Sequence, residues 1–271
     1  MSQSSYSLED LLYLMSRLRD PKDGCPWDLE QDFSSIIPHT IEECYELEDA
    51  IASGDFKQIK EELGDVLFQV VFYAQLGKEQ QQFDFDSIVS SLTEKLVRRH
   101  PHVFPAGTLA SRVSEQQTAM SDIKATWEAI KNNERQSKQL GGVLDDVPLT
   151  LPALSRAAKL QKRASAVGFD WDDIDGVLKH LKSEIEELLE ARERGSSAEI
   201  TDEMGDILFC AVNIARHLQV EPEQALRGAN RKFERRFRYI EAQLLAQGSC
   251  AESASLEHMD ELWDEAKKQG L

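Results

Sequence analysis

Three features of the sequence predict an all-α fold in two tandem domains. Apolar residues recur at helical spacing in nearly every long segment, and runs that alternate in the manner of β-strands are absent. The 271 residues exceed the usual length of one domain, and 41% of them are apolar, which suffices for a core in each of two domains. The second half of the chain also repeats a pattern of the first half.

Gly, Pro and short polar segments divide each half into about five predicted helices. The stretch from Leu63 to Ala74, for example, places its apolar residues on one helical face. The helices predicted in the first half cover residues 8–19, 38–53, 56–80, 86–99 and 114–133. Those predicted in the second half cover residues 152–166, 174–194, 198–219, 223–247 and 256–268.

A connecting segment separates the two halves. Residues 136–152, QSKQLGGVLDDVPLTLP, mix polar, Gly and Pro residues without a helical apolar stripe. We therefore expect an N-terminal domain over residues 1–135, a linker over 136–152 and a C-terminal domain over 153–271.

The formal net charge of −18 restricts the ligands that the protein can bind. Nucleic-acid affinity depends on Lys and Arg that neutralise phosphates, so a DNA or RNA polymer is not expected as a partner. A small phosphorylated ligand remains compatible with the acidity, because bound divalent cations invert the local charge. A metal ion thus becomes part of the hypothesis.

The cysteines and the apolar segments predict a cytoplasmic protein. The four cysteines lie far apart in the sequence and form neither a CxxC pair nor a zinc-finger spacing; they are Cys25, Cys44, Cys210 and Cys250. We therefore expect them to be reduced thiols. The N-terminal sequence lacks a basic segment followed by a long apolar run, and no stretch approaches the roughly 20 apolar residues of a membrane span. No membrane partner is expected.

An internal repeat relates the two halves with a constant offset of 141 positions. His39 and His180 obey this offset, and Trp27 in the first half has a counterpart in Trp171. Lys95, Arg98 and Arg99 correspond to Lys232, Arg235 and Arg236, and Trp127 with Lys131 corresponds to Trp263 with Lys267. The acidic residues that share the offset are Glu43, Glu46, Glu62 and Asp65 in the first half, and Glu184, Glu187, Glu203 and Asp206 in the second.

These acids form the pattern ExxE, fifteen intervening residues, then ExxD in each half. Residues three apart on a helix project from one face. The interval allows a turn, marked by Gly54 and Gly195, so two antiparallel helices bring four carboxylates together. Such like charges repel strongly unless a cation holds them. Oxygen-only ligation favours Mg²⁺, with Mn²⁺ as a possible substitute.

Structural explanations compete with the metal site at several positions. A single ExxE is common on solvated helix faces, and Thr40 with Glu43 also fits a capping box at the start of a helix. Gly64 and Gly205 lie in the middle of helices at a cost of about 1 kcal/mol each, which suggests either a close helix approach or a nearby site. Two copies with matched spacing favour the metal site.

A cluster of basic and aromatic residues completes a candidate phosphate and nucleotide site in the second half. Arg forks onto phosphate oxygens, Lys supplies a point charge and Trp offers a flat face to a base, although solvated faces and core packing explain the same residue types. His39 and His180 precede the first acid by one helical turn, so they are candidates to touch substrate or orient a carboxylate. The candidate substrate contacts are Lys232, Arg235, Arg236, Trp263, Lys267 and His180.

Motifs of other phosphate-binding and metal proteins are absent. The sequence contains neither GxxxxGK[ST] nor a GxGxxG that follows a strand, which argues against P-loop and Rossmann chemistry. Neither acidic pair provides the Glu-x-x-His element of di-iron bundles.

The chain resembles the MazG family of all-α nucleoside triphosphate pyrophosphohydrolases, whose hallmark is ExxE followed by ExxD on paired helices. The resemblance implies a helical domain that dimerises, so that helices of two subunits form a four-helix-bundle-like core around each metal site. It also implies hydrolysis of NTPs or dNTPs to the monophosphate and pyrophosphate. The matching segments are DGCPWD (23–28), TIEECYELEDAI (40–51), EELGDVLFQVVFYAQ (61–75), RRHPHVF (98–104), LPALSRAAKLQKR (151–163), EMGDILF (203–209) and KFERRFR (232–238).

In the expected mechanism, the acids hold Mg²⁺ on the phosphates while water attacks the α-phosphorus. The leaving pyrophosphate is stabilised by Lys232, by Arg235 or Arg236, and by Lys267. Attack at the α-phosphorus follows from the resemblance alone. The C-terminal copy is the favoured catalytic site, because the helix that carries Lys232 has the denser basic face. A narrow-substrate enzyme for dUTP or phosphoribosyl-ATP and a non-catalytic nucleotide-binding regulator are the alternatives.

Overall fold

The computed structural model describes residues 5–112, 122–123, 126–127, 129–130, 134 and 141–271. These residues form helices, turns and loops without a β-strand, so the all-α prediction is confirmed for the described part of the chain. The chain divides into two compact units, residues 1–133 and 134–271. The bounds proposed for the linker, 136–152, stay a prediction.

The first unit begins with α1 (Leu8–Leu18) and the short α2 (Pro26–Glu30) and continues with α3 (Ile37–Ser53), α4 (Phe56–Glu79) and α5 (Phe85–Arg99). The periodicity of the sequence did not predict α2, because five residues are too few to show a helical repeat. In the predicted helix 114–133, the described residues 122–123, 126–127 and 129–130 are helical; the others, Lys131 included, lie outside the described residues.

The second unit contains five helices among its described residues. These are α6 (Ala153–Ser165), α7 (Ile174–Arg194), α8 (Ser197–His217), α9 (Pro222–Ala246) and α10 (Leu256–Lys268). Their bounds agree with the predicted ones to within two residues.

A two-residue turn joins the two helices that carry the acids in each unit. Gly54 and Gly195 end α3 and α7 in the left-handed conformation, with φ of 75° and 72°, which glycine adopts without a steric penalty. The next residue caps the following helix: Asp55 accepts from the amide of Lys57 at 2.8 Å, and Ser196 caps α8 in the same way. Each turn therefore holds a helical hairpin in a defined register.

The core of the first unit lies between α1, α4 and the segment before α3. Phe72, Val71 and Leu76 of α4 pack with Met15 of α1 and with Ile36, and all five side chains are at most 3% exposed. In the second unit, α9 and α10 pack through a cluster of buried apolar residues, Ile240, Leu244 and Leu262. Burial of such side chains gives the largest favourable contribution to stability.

A buried arginine at the end of α1 ties several segments of the first unit together. Arg19 makes a two-pronged ion pair with Glu79 at the end of α4, at 2.7 Å for the closer contact. Its guanidinium also donates to the backbone carbonyls of Asp28 and Gln31 and lies 5.3 Å from the centre of the Phe72 ring. Burial opposes ionisation of Glu79, but the hydrogen bonds and charge of Arg19 outweigh it and lower the pKa of Glu79.

Candidate active site

The hairpin of α7 and α8 brings the four acids of the second unit together. Carboxylate oxygens of Glu184, Glu187 and Glu203 lie within 4.8 Å of one another. Glu184 is buried, with 7% of its surface exposed, whereas Glu187 faces solvent. Asp206 is close enough for its charge to raise the pKa of Glu203. The convergence predicted from the ExxE and ExxD spacing is therefore present in this unit.

The hairpin of α3 and α4 repeats the arrangement in the first unit. Oxygens of Glu43, Glu62 and Asp65 lie within 4.8 Å of one another, and the charge of Glu46 raises the pKa of both glutamates. The three converging acids are thus a different subset, but all four interact in both units. The alternative explanation of Glu43 as a capping residue is wrong, because α3 begins at Ile37 and places Thr40 inside the helix.

The carboxylates of each quartet repel one another, and this repulsion contributes to a raised pKa of individual acids in both units. Partial burial, and then the charges of Asp65, Glu46 and Glu62, raise the pKa of Glu43. Partial burial and the neighbouring carboxylates raise the pKa of Glu203 in the same way. Two hard oxygen-rich clusters that resist full ionisation fit a divalent cation such as Mg²⁺, which would neutralise them.

We expect the Glu203→Gln variant to gain stability relative to the wild-type chain as the pH rises in EDTA. The folded wild type binds more protons at Glu203 than the unfolded chain does between pH 4.5 and the raised pKa, so its stability falls across that window and stays lower above it. The amide does not titrate. Urea unfolding of both proteins at several pH values measures the difference.

Mg²⁺ provides the control for this pH effect. The cation stabilises a folded state that binds it, so the wild-type chain should regain stability in Mg²⁺ while the variant gains less. A stability difference that is independent of pH in EDTA would contradict the repulsion described for Glu203.

A histidine lies one helical turn before the first acid in each unit and contacts a tryptophan ring. His180 Nε2 lies 3.2 Å from a carboxylate oxygen of Glu184, and the His180 ring centre lies 5.0 Å from that of Trp171. In the first unit, the ring of His39 meets Trp27 edge to face at 5.9 Å. Its Nδ1, however, lies 3.8 Å from Glu42 rather than beside Glu43.

Cys210 also belongs to the second cluster, although the sequence pattern did not single it out. Its sulfur lies within 4.8 Å of ligand atoms of His180 and Glu184. Burial, and then the charges of Glu184 and Asp206, raise the pKa of the Cys210 thiol. The helical spacing could have found this residue, because Cys210 follows Asp206 by four positions and so lies on the same face of α8.

The predicted basic residues and Trp263 lie on α9 and α10, and two of the basic residues already have partners within the chain. Arg236 donates to the backbone carbonyl of Leu271 at 2.8 Å and lies 5.3 Å from the centre of a Trp263 ring. Lys267 pairs with Asp264 at 2.9 Å. Lys232 and Arg235 are exposed on α9. Trp263 packs against the core cluster, so the structure supports a packing role for it.

The two mid-helix glycines are not explained by helix packing. A Cβ added at Gly64 or Gly205 would meet no other part of the described chain within 4 Å. Of the two explanations considered from sequence, a close helix approach is therefore excluded for the described residues. Gly205 and Asp206 instead line an open depression on α8 with Thr201 and Asp202.

Large apolar side chains lie exposed on the helices that carry the acids. Such a surface is unusual for a single folded unit and marks an interaction site when the residues are contiguous. The exposed residues are Leu63, Leu67 and Val70 on α4, Ile185 and Leu189 on α7, and Met204, Leu208 and Phe209 on α8. Among the described residues, no helix has the length and apolar character that crossing a membrane requires.

Comparison with known proteins places this architecture in a family. The model of the MazG nucleotide pyrophosphohydrolase domain matches residues 31–104 and again residues 173–240. A nucleoside triphosphate pyrophosphohydrolase of Escherichia coli strain K12 is 49% identical over 97% of this chain and 98% of its own length. The nucleoside triphosphate pyrophosphohydrolase/pyrophosphatase MazG of Thermotoga maritima is 42% identical over 98% of both chains. This chain therefore belongs to the MazG family and carries one MazG domain in each half.

Proposed function

We propose that this protein is a Mg²⁺-dependent nucleoside triphosphate pyrophosphohydrolase that converts NTPs or dNTPs to the monophosphate and pyrophosphate. The observation that carries the proposal is the convergence of carboxylates from paired helices in both units. Family membership and the names of two relatives similar over nearly their full length support the same activity. Clearance of aberrant nucleotides or control of the nucleotide pool in the cytoplasm would use this chemistry.

The acids are proposed to hold the cation against the triphosphate. Glu184, Glu187, Glu203 and Asp206 would bind Mg²⁺ in the second unit, and Mn²⁺ could replace it. When bound, the cation supplies charge neutralisation for the phosphates and polarises the attacking water. One of the acids would accept a proton from that water, which attacks the α-phosphorus.

The basic residues are proposed to receive the charge that develops on the leaving pyrophosphate. Lys232 and Arg235 are exposed and suited to reach a phosphate. Arg236 and Lys267 would exchange their present partners, Leu271 and Asp264, for phosphate oxygens. His180 would orient Glu184 or contact the substrate, and Trp263 would contact the base or ribose from its packed position.

A homodimer is proposed because of the apolar residues exposed beside the acids. A second subunit packed on α7 and α8 would cover side chains such as Leu208 and Phe209, which are 51% and 42% exposed. At about 25 cal/mol per Å² of apolar surface removed from water, this burial would favour association. It would also exclude water from the metal site, which strengthens electrostatic interactions there.

Incubation with each common NTP and dNTP tests the proposed reaction. We expect monophosphate and pyrophosphate in equal amounts with Mg²⁺. We expect no product in EDTA, because the carboxylates are negative like the triphosphate and repel it when no cation is bound. Separation of the products by anion-exchange chromatography measures the outcome. The chain with Glu62→Gln and Glu203→Gln together controls for contaminating phosphatases.

Two results would contradict the proposal. Orthophosphate with a diphosphate as the first products would place the attack at the γ-phosphorus. Turnover of a single substrate, such as dUTP, would replace the broad activity with a narrow one.

A further inference from the structure

Three potential ligands of a borderline-soft metal meet beside the acids of the second unit. We call His180, Glu184 and Cys210 the soft-ligand cluster; each offers a nitrogen, oxygen or sulfur atom within 4.8 Å of the other two. A set that combines imidazole, thiolate and carboxylate differs in chemistry from the oxygen-only quartet. Such ligands select Zn²⁺ over Mg²⁺, which prefers oxygen alone.

The cluster is oriented by the residues that surround it. Ser183 Oγ lies 3.4 Å from Nδ1 of His180, and the Trp171 ring centre lies 5.0 Å from that of His180 at an interplanar angle of 33°. His180 Nε2 is thereby directed towards Glu184, at 3.2 Å. Groups that fix the ring of a ligating histidine in this way are typical of metal sites.

The distances suit a small cation after minor side-chain adjustment. Three atoms that lie within 4.8 Å of one another share a point no more than about 2.8 Å from each, whereas Zn²⁺ binds nitrogen at about 2.0–2.1 Å and sulfur at about 2.3 Å. Cys210 and Glu184 are 5% and 7% exposed, so two of the three ligands are withdrawn from competing water.

We propose that His180, Glu184 and Cys210 form a Zn²⁺ site that is distinct from the Mg²⁺ site and shares Glu184 with it. Binding would break the S–H bond of Cys210, release its proton to solvent and form the Zn–S bond. A solvent molecule would supply a fourth ligand. The site is a regulatory one, because Glu184 cannot serve both cations fully.

The shared ligand makes Zn²⁺ an inhibitor of the second unit. Zn²⁺ on Glu184 removes the most buried carboxylate from the quartet and places a positive charge where Mg²⁺ would bind. Each cation therefore weakens the binding of the other, as linkage requires. This inhibitory consequence rests on the proposed function, whereas the binding of Zn²⁺ does not.

The first unit offers an internal comparison. The position of Cys210 is occupied there by Gln69, which is buried and lies 3.5 Å from Thr40. His39 lies beside Glu42 rather than Glu43. Neither the thiolate nor the directed imidazole is therefore available in the first unit, and one Zn²⁺ site per chain is expected among the described residues.

Titration of the chelator-treated full chain with Co²⁺ alone tests the site without any need for turnover. A thiolate ligand gives Co²⁺ an intense charge-transfer absorption in the near ultraviolet. We expect this band to saturate at one Co²⁺ per chain, to persist in Cys250→Ser and to vanish in Cys210→Ser. His180→Gln should weaken Co²⁺ binding by about tenfold or more.

Absence of the band in the wild-type chain would overturn the proposal, as would a band that Cys210→Ser leaves unchanged. Should Cys210→Ser fail to fold by circular dichroism, Cys210→Ala and His180→Gln decide the matter by the same readout. Added Zn²⁺ should abolish the Co²⁺ band by displacement, since Zn²⁺ competes for the same ligands.

Inhibition is then measured on the NTP turnover of the full chain in Mg²⁺. We expect Cys210→Ser to need at least about tenfold more Zn²⁺ than the wild type for half-inhibition, because it loses one ligand. Equal sensitivity of both proteins would overturn the inhibitory role while the Co²⁺ band still decides whether the site exists. A chain without turnover would contradict the proposed function and leave the spectroscopic test unaffected.

Discussion

Hydrolysis of nucleoside triphosphates by the Glu203→Gln variant is expected to fall at least about 100-fold below the wild-type rate. Glu203 lies at the centre of the second quartet, where Glu187, Glu184 and Asp206 all act on its carboxylate. An amide keeps the shape of the side chain but removes the charge that holds the cation. The initial rate of pyrophosphate release at saturating Mg²⁺ measures the loss.

Glu186→Gln is the matched control for this substitution. Glu186 is exposed on α7 between two quartet positions, and its replacement removes the same charge without touching the quartet. Its rate should stay within about twofold of the wild type, as for an ordinary surface substitution.

The Glu62→Gln variant distinguishes the turnover of the first unit from that of the second. We expect it to be the milder change, because Glu184 is buried whereas Glu43, its counterpart in the first quartet, is half-buried. The denser basic face of α9 favours the second unit as well. Unchanged turnover in Glu203→Gln together with loss of turnover in Glu62→Gln would assign the activity to the first unit.

Arg19→Ala is expected to destabilise the first unit by about 3 kcal/mol, the lower end of the range for a buried ion pair, because the Glu79 side chain is 33% exposed. The substitution leaves Glu79 without its ion-pair partner and removes the donor for the carbonyls of Asp28 and Gln31. It also removes the contact of the guanidinium with Phe72. The free energy of unfolding, taken from the urea transition of this unit, measures the effect.

Arg17→Ala tests whether burial causes the large effect. Arg17 lies on the same helix and pairs with Asp23 at the same distance, 2.7 Å, but their side chains are 49% and 63% exposed. Exposed pairs contribute about 1 kcal/mol or less, so the loss should be small. Similar losses in both variants would show that the buried network around Arg19 adds nothing beyond one ion pair.

The helices and the hairpins could be predicted from the sequence because local signals determine them. Apolar periodicity located the long helices, and Gly54 and Gly195 marked the turns between them. Since residues three apart share a helical face, the spacing of Glu184, Glu187 and their partners was enough to predict their convergence. The one-turn α2 was missed, since the helix that Pro26 starts is too short for a periodic pattern to be recognised.

The remainder of the site depended on contacts that periodicity does not specify. His39 turns towards Glu42 although its counterpart His180 turns towards Glu184. A repeat in sequence therefore did not imply an identical site. The hydrogen bond from Arg236 to the carbonyl of Leu271 likewise follows from tertiary packing.

The two-residue helical turns also bear on how this chain can change in length during evolution. Exposed turns normally tolerate insertions and deletions. One residue inserted between Gly54 and Glu62, however, would rotate the second acid pair by about 100° and shift it by about 1.5 Å relative to the first. The hairpin is thus constrained in length rather than in composition, and both halves still have fifteen residues between their acid pairs, although most of those residues differ.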